Sequence, residues 1–166
     1  MRRRDLLLAP VCEVGLLLVV AVAGVVTRQP LIFASLGPTA YELVETPHRP
    51  SARPYNILMG HLVAVLAGFA ALHLTHAWSV PGVTLGVTWP RAWAAILSAG
   101  LTVFGTLLLR ASQPAAVSTT LLISLGVMQT RMDGVVIMGA VVLMTLVGEP
   151  LRRWREWGAE RAESGG

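Results

Sequence analysis

The sequence contains no lysine, so all 13 of its basic residues are arginine. It has a single cysteine, Cys12, which excludes an internal disulfide and any cysteine-rich metal site. Charged residues are scarce, at 13% of the 166 residues. A soluble domain carries roughly a quarter. That deficit, with 54% hydrophobic residues and a mean hydropathy of +0.65, excludes an ordinary soluble domain and points to an integral membrane protein. The formal charge of +4 bears on orientation in the bilayer rather than on nucleic acid, because basic residues of membrane proteins gather on the cytoplasmic side. No nucleophile, base and orienting group stand at a recognisable spacing, and there is no Walker A or dinucleotide glycine motif. An enzyme is therefore not expected, and neither is a cofactor. His73 and His76 are three apart, yet no Cys, Asp or Glu stands near them, so no metal site is expected either.

What is present is a series of apolar runs broken by proline. Residues 6–26 form the first run, behind Arg2, Arg3 and Arg4. At about 1.5 Å per residue it spans roughly 30 Å, a bilayer's hydrocarbon thickness, and it is too long for a signal-peptide core. Glu13 lies inside it, either facing protein or water, or protonated without a role. Arg28-Gln29-Pro30 ends the run. Residues 31–36 then enter extended, and Gly37-Pro38 starts a short helix to about Glu45. Residues 46–56 are a loop rich in Pro and Arg; residues 57–78 are a second spanning helix, holding His61. After a linker over 79–91 comes a third spanning helix over 92–109. A second short helix begins at Pro114, and after a polar turn with Arg131 and Asp133 the last apolar run covers 134–148. A cytoplasmic tail follows from residue 149, and no soluble domain is expected beside it.

Each half thus reads as long helix, proline-led short segment, long helix, with repeat 1 over 6–78, repeat 2 over 92–148 and a tail over 149–166. Pro38-Thr39-Ala40 matches Pro114-Ala115-Ala116, and Ile57-Leu58-Met59-Gly60 matches Val136-Ile137-Met138-Gly139. The fold class is all-α, a polytopic transmembrane bundle of six segments, or of four spans plus two re-entrant ones. Six crossings from a cytoplasmic start put ten arginines inside (2, 3, 4, 49, 53, 110, 152, 153, 155, 161) and three outside (28, 91, 131). Four crossings put eight inside and five outside, so the positive-inside rule favours six.

A helix N-terminus carries about half a positive charge, and repeat-built transporters aim such ends at anionic substrates. Ser35, Gly37, Pro38 and Thr39 in the first copy, and Ser112, Gln113, Pro114, Ser118 and Thr119 in the second, are the candidate lining of such a path. Asn56 and His61 join them from the long helix, His61 as a group able to change charge near neutral pH. Arg49, Arg53 and Arg110 would form a basic mouth, or serve topology alone.

Residues 34–61 resemble the HPP family of integral membrane proteins. The resemblance is carried by Ala34-Ser35-Leu36-Gly37-Pro38-Thr39-Ala40, by Pro47, Pro50, Pro54 and Asn56, and by Gly60-His61-Leu62. The His-Pro-Pro motif that names the family falls at Ser112-Gln113-Pro114, where only the second proline is kept. Some plant plastid and cyanobacterial members are linked to nitrite transport, so the resemblance implies movement of a small anion such as nitrite. Expected partners are the lipid bilayer, a small anion and a second copy of the chain, with no nucleic acid. The expected location is the inner or plasma membrane with both termini cytoplasmic. The alternative is a non-transporting membrane scaffold or assembly subunit.

Overall fold

In the computed structural model, which describes residues 3–164 and the side chains of 7–157, the chain is all-helical. The order is α1 (Arg3–Thr27), α2 (Leu36–Glu45), α3 (Pro54–Leu74), α4 (Trp89–Leu108), α5 (Ala115–Ser124) and α6 (Arg131–Ser164). Single 3-10 turns at Pro50–Ala52, Ala77–Ser79 and Val83–Leu85 sit in the connections. Four helices, α1, α3, α4 and α6, are long and apolar enough to cross a membrane. Between them lie two ten-residue helices, α2 and α5.

Local chemistry explains most boundaries. Helices α1 and α4 end in the same way. Arg28 and Arg110 adopt left-handed φ values of 55° and 51°. Gln29 N–H bonds to Gly24 O and Arg28 N–H to Val25 O; Ala111 N–H bonds to Thr106 O and Arg110 N–H to Leu107 O. That is the Schellman arrangement, with arginine at the place glycine usually takes. Pro54 opens α3 within its first turn, where its missing N–H costs nothing. Thr130 and Asp133 start α6 with a reciprocal cap: Asp133 N–H donates to Thr130 Oγ1 at 3.1 Å and Thr130 N–H to Asp133 Oδ2 at 2.8 Å.

Several expected boundaries move. α2 starts at Leu36, so Pro38 is its third residue and not its first. Pro114, expected as the first residue of the second short helix, is the residue before α5, which ends at Ser124. α3 covers 54–74 rather than 57–78, and His76 instead sits in a left-handed turn, φ 53°. The turn expected around Arg131 and Asp133 is the first turn of α6, and the run over 134–148 and the tail are one unbroken 34-residue helix. At about 1.5 Å per residue α6 is about 50 Å long and must project beyond a bilayer's hydrocarbon layer.

The packing places α3 at the centre, against α4, α5 and α6, while α2 lies against α1 and α6. Exchanging the two halves maps these pairs onto each other: α3–α4 onto α6–α1, α3–α5 onto α6–α2, and α4–α5 onto α1–α2. α5 runs alongside α3 in the same direction. At one end a Cβ on Gly60 would stand 2.5 Å from Gln113 Cβ; at the other, a Cβ on Gly68 would stand 2.9 Å from Ile123 Cβ. Small residues here let the helices approach closely.

At the far end of α5, Arg91 is fully buried and, among the described residues, has no carboxylate partner. Its guanidinium donates to Pro81 O at 3.1 Å, Ser124 O at 3.2 Å, Val80 O at 2.6 Å and Gln129 Oε1 at 2.5 Å. Gly126, with φ 79°, lies flat on it; a Cβ there would be 2.7 Å from Arg91 Cζ. The side chain ties the α3–α4 connection to the carbonyl end of α5. Arg91→Met keeps the bulk but leaves these acceptors unpaired. The variant should lose about 2–4 kcal/mol of stability, read as a lower unfolding midpoint in detergent, with Arg91→Lys intermediate.

Candidate functional site

α2 and α5 meet inside the bundle through their side chains. Ser35, the residue before α2, has its hydroxyl 2.6 Å from Thr119 Oγ1 on α5. An N-cap serine ordinarily turns its hydroxyl to its own helix. Ser35 makes no such cap, because the hydroxyl is engaged by Thr119. Thr119 Oγ1 is also 2.8 Å from His61 Nδ1, and the other ring nitrogen, Nε2, is 3.2 Å from Thr39 Oγ1. Thr39 in turn donates to Ser35 O at 2.9 Å. Ser35, Thr39, His61 and Thr119 are each 0% exposed. The four form a closed ring of hydrogen bonds that joins both short helices to α3.

The helix ends themselves offer less than the sequence suggests. Leu36 N–H bonds to Phe33 O and Thr39 N–H to Ser35 O; Ala116 N–H bonds to Gln113 O and Val117 N–H to Pro114 O. Turn hydrogen bonds thus use up most of the first-turn N–H groups. The polar groups facing the interior are mainly side chains, not free backbone donors.

The other expected residues are dispersed. Gln113 is buried against Gly60, one residue from His61, and neither polar atom of its amide makes a well-formed hydrogen bond. Asn56 donates to Pro50 O at 2.7 Å and fastens the loop before α3. Pro38, Ser112 and Pro114 are exposed, and Gly37 and Ser118 half-buried. His73 stacks on Trp78 at 5.0 Å between ring centroids, and among the described residues no cluster of metal-ligating side chains forms. Sequence reading missed Glu42 and Arg91. Glu42 had a findable signal: Ser35, Thr39 and Glu42 stand at i, i+4 and i+7, one face of a helix. Arg91 had none, because nothing in a sequence says which backbone carbonyls will surround a cation.

The carbonyl ends of the short helices are also engaged. Arg91 takes Ser124 O of α5. Arg155 donates to Val44 O of α2 at 3.1 Å, and Arg152 donates to Pro47 O just beyond it at 3.0 Å. Each helix therefore has an arginine at the end where its dipole is negative.

Over residues 3–151 the chain matches the family model described as HPP, transmembrane region. The chain belongs to the HPP family. No curated protein and no solved structure matches it. As an HPP protein with four helices of spanning length it is a multi-pass membrane protein. The family model covers all of α2 to α5, including every member of the hydrogen-bonded ring.

Because the ring is closed, removing one member strands the others. Thr119→Val should leave the buried Ser35 hydroxyl and His61 Nδ1 without this partner and cost about 2–4 kcal/mol. Thr145, whose hydroxyl only bonds back to Val141 O at 2.7 Å, is the control. Thr145→Val should change stability by no more than about 0.5 kcal/mol. Thermal unfolding of the two variants in one detergent checks the difference.

Proposed function

We propose that this HPP protein moves a small inorganic anion, nitrite-like in size and charge, across the inner or plasma membrane. The observation that carries the reading is the ring Ser35–Thr119–His61–Thr39, a set of polar side chains buried where two interrupted segments meet. An intact transmembrane helix satisfies its own backbone and needs no such group. Interrupted segments and buried hydroxyls are what a path for a charged solute requires. Neutral hydroxyls and an imidazole suit a small anion, because they solvate it without holding it as tightly as an arginine would. In the closed arrangement they bond to each other; an anion would take their donors in turn as Ser35 and Thr119 part. The reading includes a six-crossing topology with both termini cytoplasmic. It also includes a homo-oligomer, since so few helices enclose little volume. No chemical step is assigned to the chain.

One observation favours a non-transporting scaffold instead. Every polar group of the ring has a partner inside the ring, as packing glue would, and such interhelical bonds contribute about 0.6 kcal/mol each on average.

Flux separates the two. Vesicles holding the protein and loaded in turn with nitrite, nitrate, formate and chloride should lose at least one anion gradient faster than protein-free vesicles. Thr39→Val should slow that loss by about tenfold or more, as expected for losing a donor to a charged group worth about 1.5–3 kcal/mol. Release equal to protein-free vesicles for all four anions, from folded and inserted protein, would support the scaffold.

A further inference from the structure

Glu42 is a carboxylate to which the transport reading gives no task. It continues the face of α2 that carries Ser35 and Thr39, one turn nearer the helix's carbonyl end. The side chain is half-buried; its Oε2 is buried and makes no well-formed hydrogen bond. Gln113, only 4% exposed, faces it closely enough to act on the carboxyl, yet neither Oε1 nor Nε2 makes a well-formed hydrogen bond. The Ser51 hydroxyl and the Arg49 guanidinium complete the polar surroundings of the carboxyl. Buried polar groups nearly always form well-aligned hydrogen bonds, so three atoms in one place that form none mark a site that a bound species completes.

The residue types select that species. Arg49 beside the carboxylate disfavours a metal cation. A proton fits, because it removes the charge of Glu42 instead of adding a second ion. An amide fits both states of the carboxyl: its N–H donates to a carboxylate, and its oxygen accepts from a carboxylic acid. The neighbouring helices supply the remaining charged groups. Glu149 and Glu156 of α6 are paired to Arg152, and Glu149 also to Arg153. Arg152 and Arg155 hold Pro47 O and Val44 O. His61 of α3 bonds within the ring; among the residues whose side chains are described, Glu13 is the carboxylate of α1, and α5 has no charged residue. Arg49 is the charged group that acts on Glu42.

We propose that Glu42, with Gln113 opposite and Ser51 beside it, is a proton-binding site linked to anion binding at the Ser35–Thr39–His61–Thr119 ring. The proton comes from water as an anion binds and returns to water as the anion leaves, so one positive and one negative charge move together. The linkage is electrostatic. Side chains three apart on a helix stand about 5–6 Å from each other, so an anion at Thr39 lies within that order of distance of an ionised Glu42. At a dielectric constant near 20, that repulsion weakens binding on the order of a hundredfold unless Glu42 is protonated. By reciprocity the anion promotes protonation by the same factor.

The anion half of this proposal rests on the transport reading, and the experiment keeps the two apart. Nitrite binding to the full chain in detergent is measured calorimetrically near neutral pH, in two buffers of different ionisation enthalpy. Wild type should take up about one proton per nitrite bound, with affinity falling as pH rises. Glu42→Gln should bind nitrite with no proton uptake and with an affinity independent of pH. Proton uptake that persists in Glu42→Gln, or is zero in a wild type that binds nitrite, overturns the proposal. If wild type binds no nitrite, the same titration is run with nitrate, formate and chloride; if it binds none of the four, the transport reading fails, and the infrared carboxyl band then decides the proton site alone. A band that titrates in wild type, shifts in Gln113→Leu and is missing in Glu42→Gln sustains it; no such band in wild type overturns it.

Discussion

Two ten-residue helices inside a membrane bundle cannot stand on helix propensity, because isolated helices of that length are marginal even in water. What holds them is burial of their apolar residues together with polar contacts, at the two ends of α2 and at the middle and carbonyl end of α5. In the interior, Ser35, Thr39, His61 and Thr119 satisfy one another with no exposure to solvent. The ring does for these segments what a continuous backbone ladder does for α3 or α4. It also fixes where the short helices lie relative to each other, since Ser35 reaches Thr119 across the gap between them. The rest of the packing accommodates that meeting: Gly60 and Gly68 bring α5 against α3, and Leu43 of α2 fills the space that Gly148 leaves on α6.

The carbonyl ends need cations that can reach several acceptors at once, and here the absence of lysine is informative. A guanidinium presents five donors in a planar fork; an ammonium is a compact point charge. Arg91 satisfies three backbone carbonyls and an amide. Arg152 bonds Glu149, Glu156 and Pro47 O together. These arginines are structural, and that changes how the positive-inside rule is applied. Arg91 counts among the arginines placed outside by a six-crossing topology, yet it is buried and engaged, so it says little about orientation.

The long apolar runs, the short proline-led segments and the order of lengths were legible in the sequence because hydropathy and proline report directly on them. The misplacements share a cause. Proline was read as the first residue of a helix, but the whole first turn lacks internal N–H bonds, so a proline at its third residue, as at Pro38, is equally free. The change from apolar to charged residues at Glu149 was read as the end of a helix. The backbone does not respond to that change: pairs at i, i+3 and i, i+4 between Glu149, Arg152, Arg153 and Glu156 favour continuation. Of the candidate site residues, those on the inner faces of α2, α3 and α5 come together, while Ser112, Pro114 and Pro38 lie outside. Position in a motif does not reveal which way a side chain faces.

The departure from symmetry between the halves is the feature that a scaffold explains least well. Packing pairs, the ten-residue length of α2 and α5, and the left-handed arginine ends of α1 and α4 correspond from one half to the other. Where Met59-Gly60 corresponds to Met138-Gly139, the next residues differ: His61 on α3, Ala140 on α6, both fully buried. Close packing of corresponding helices is served equally well by alanine, and burying an imidazole carries a desolvation cost that alanine does not. Glu42 has a hydroxyl, Ser118, at the corresponding place when Pro38 is matched to Pro114. A histidine and a carboxylate thus enter one half only, both next to the contact between the short helices. Two equivalent sites would bind two solutes. One asymmetric site, able to exchange hydrogen-bond partners on one side of a matched frame, is the arrangement expected of a single path.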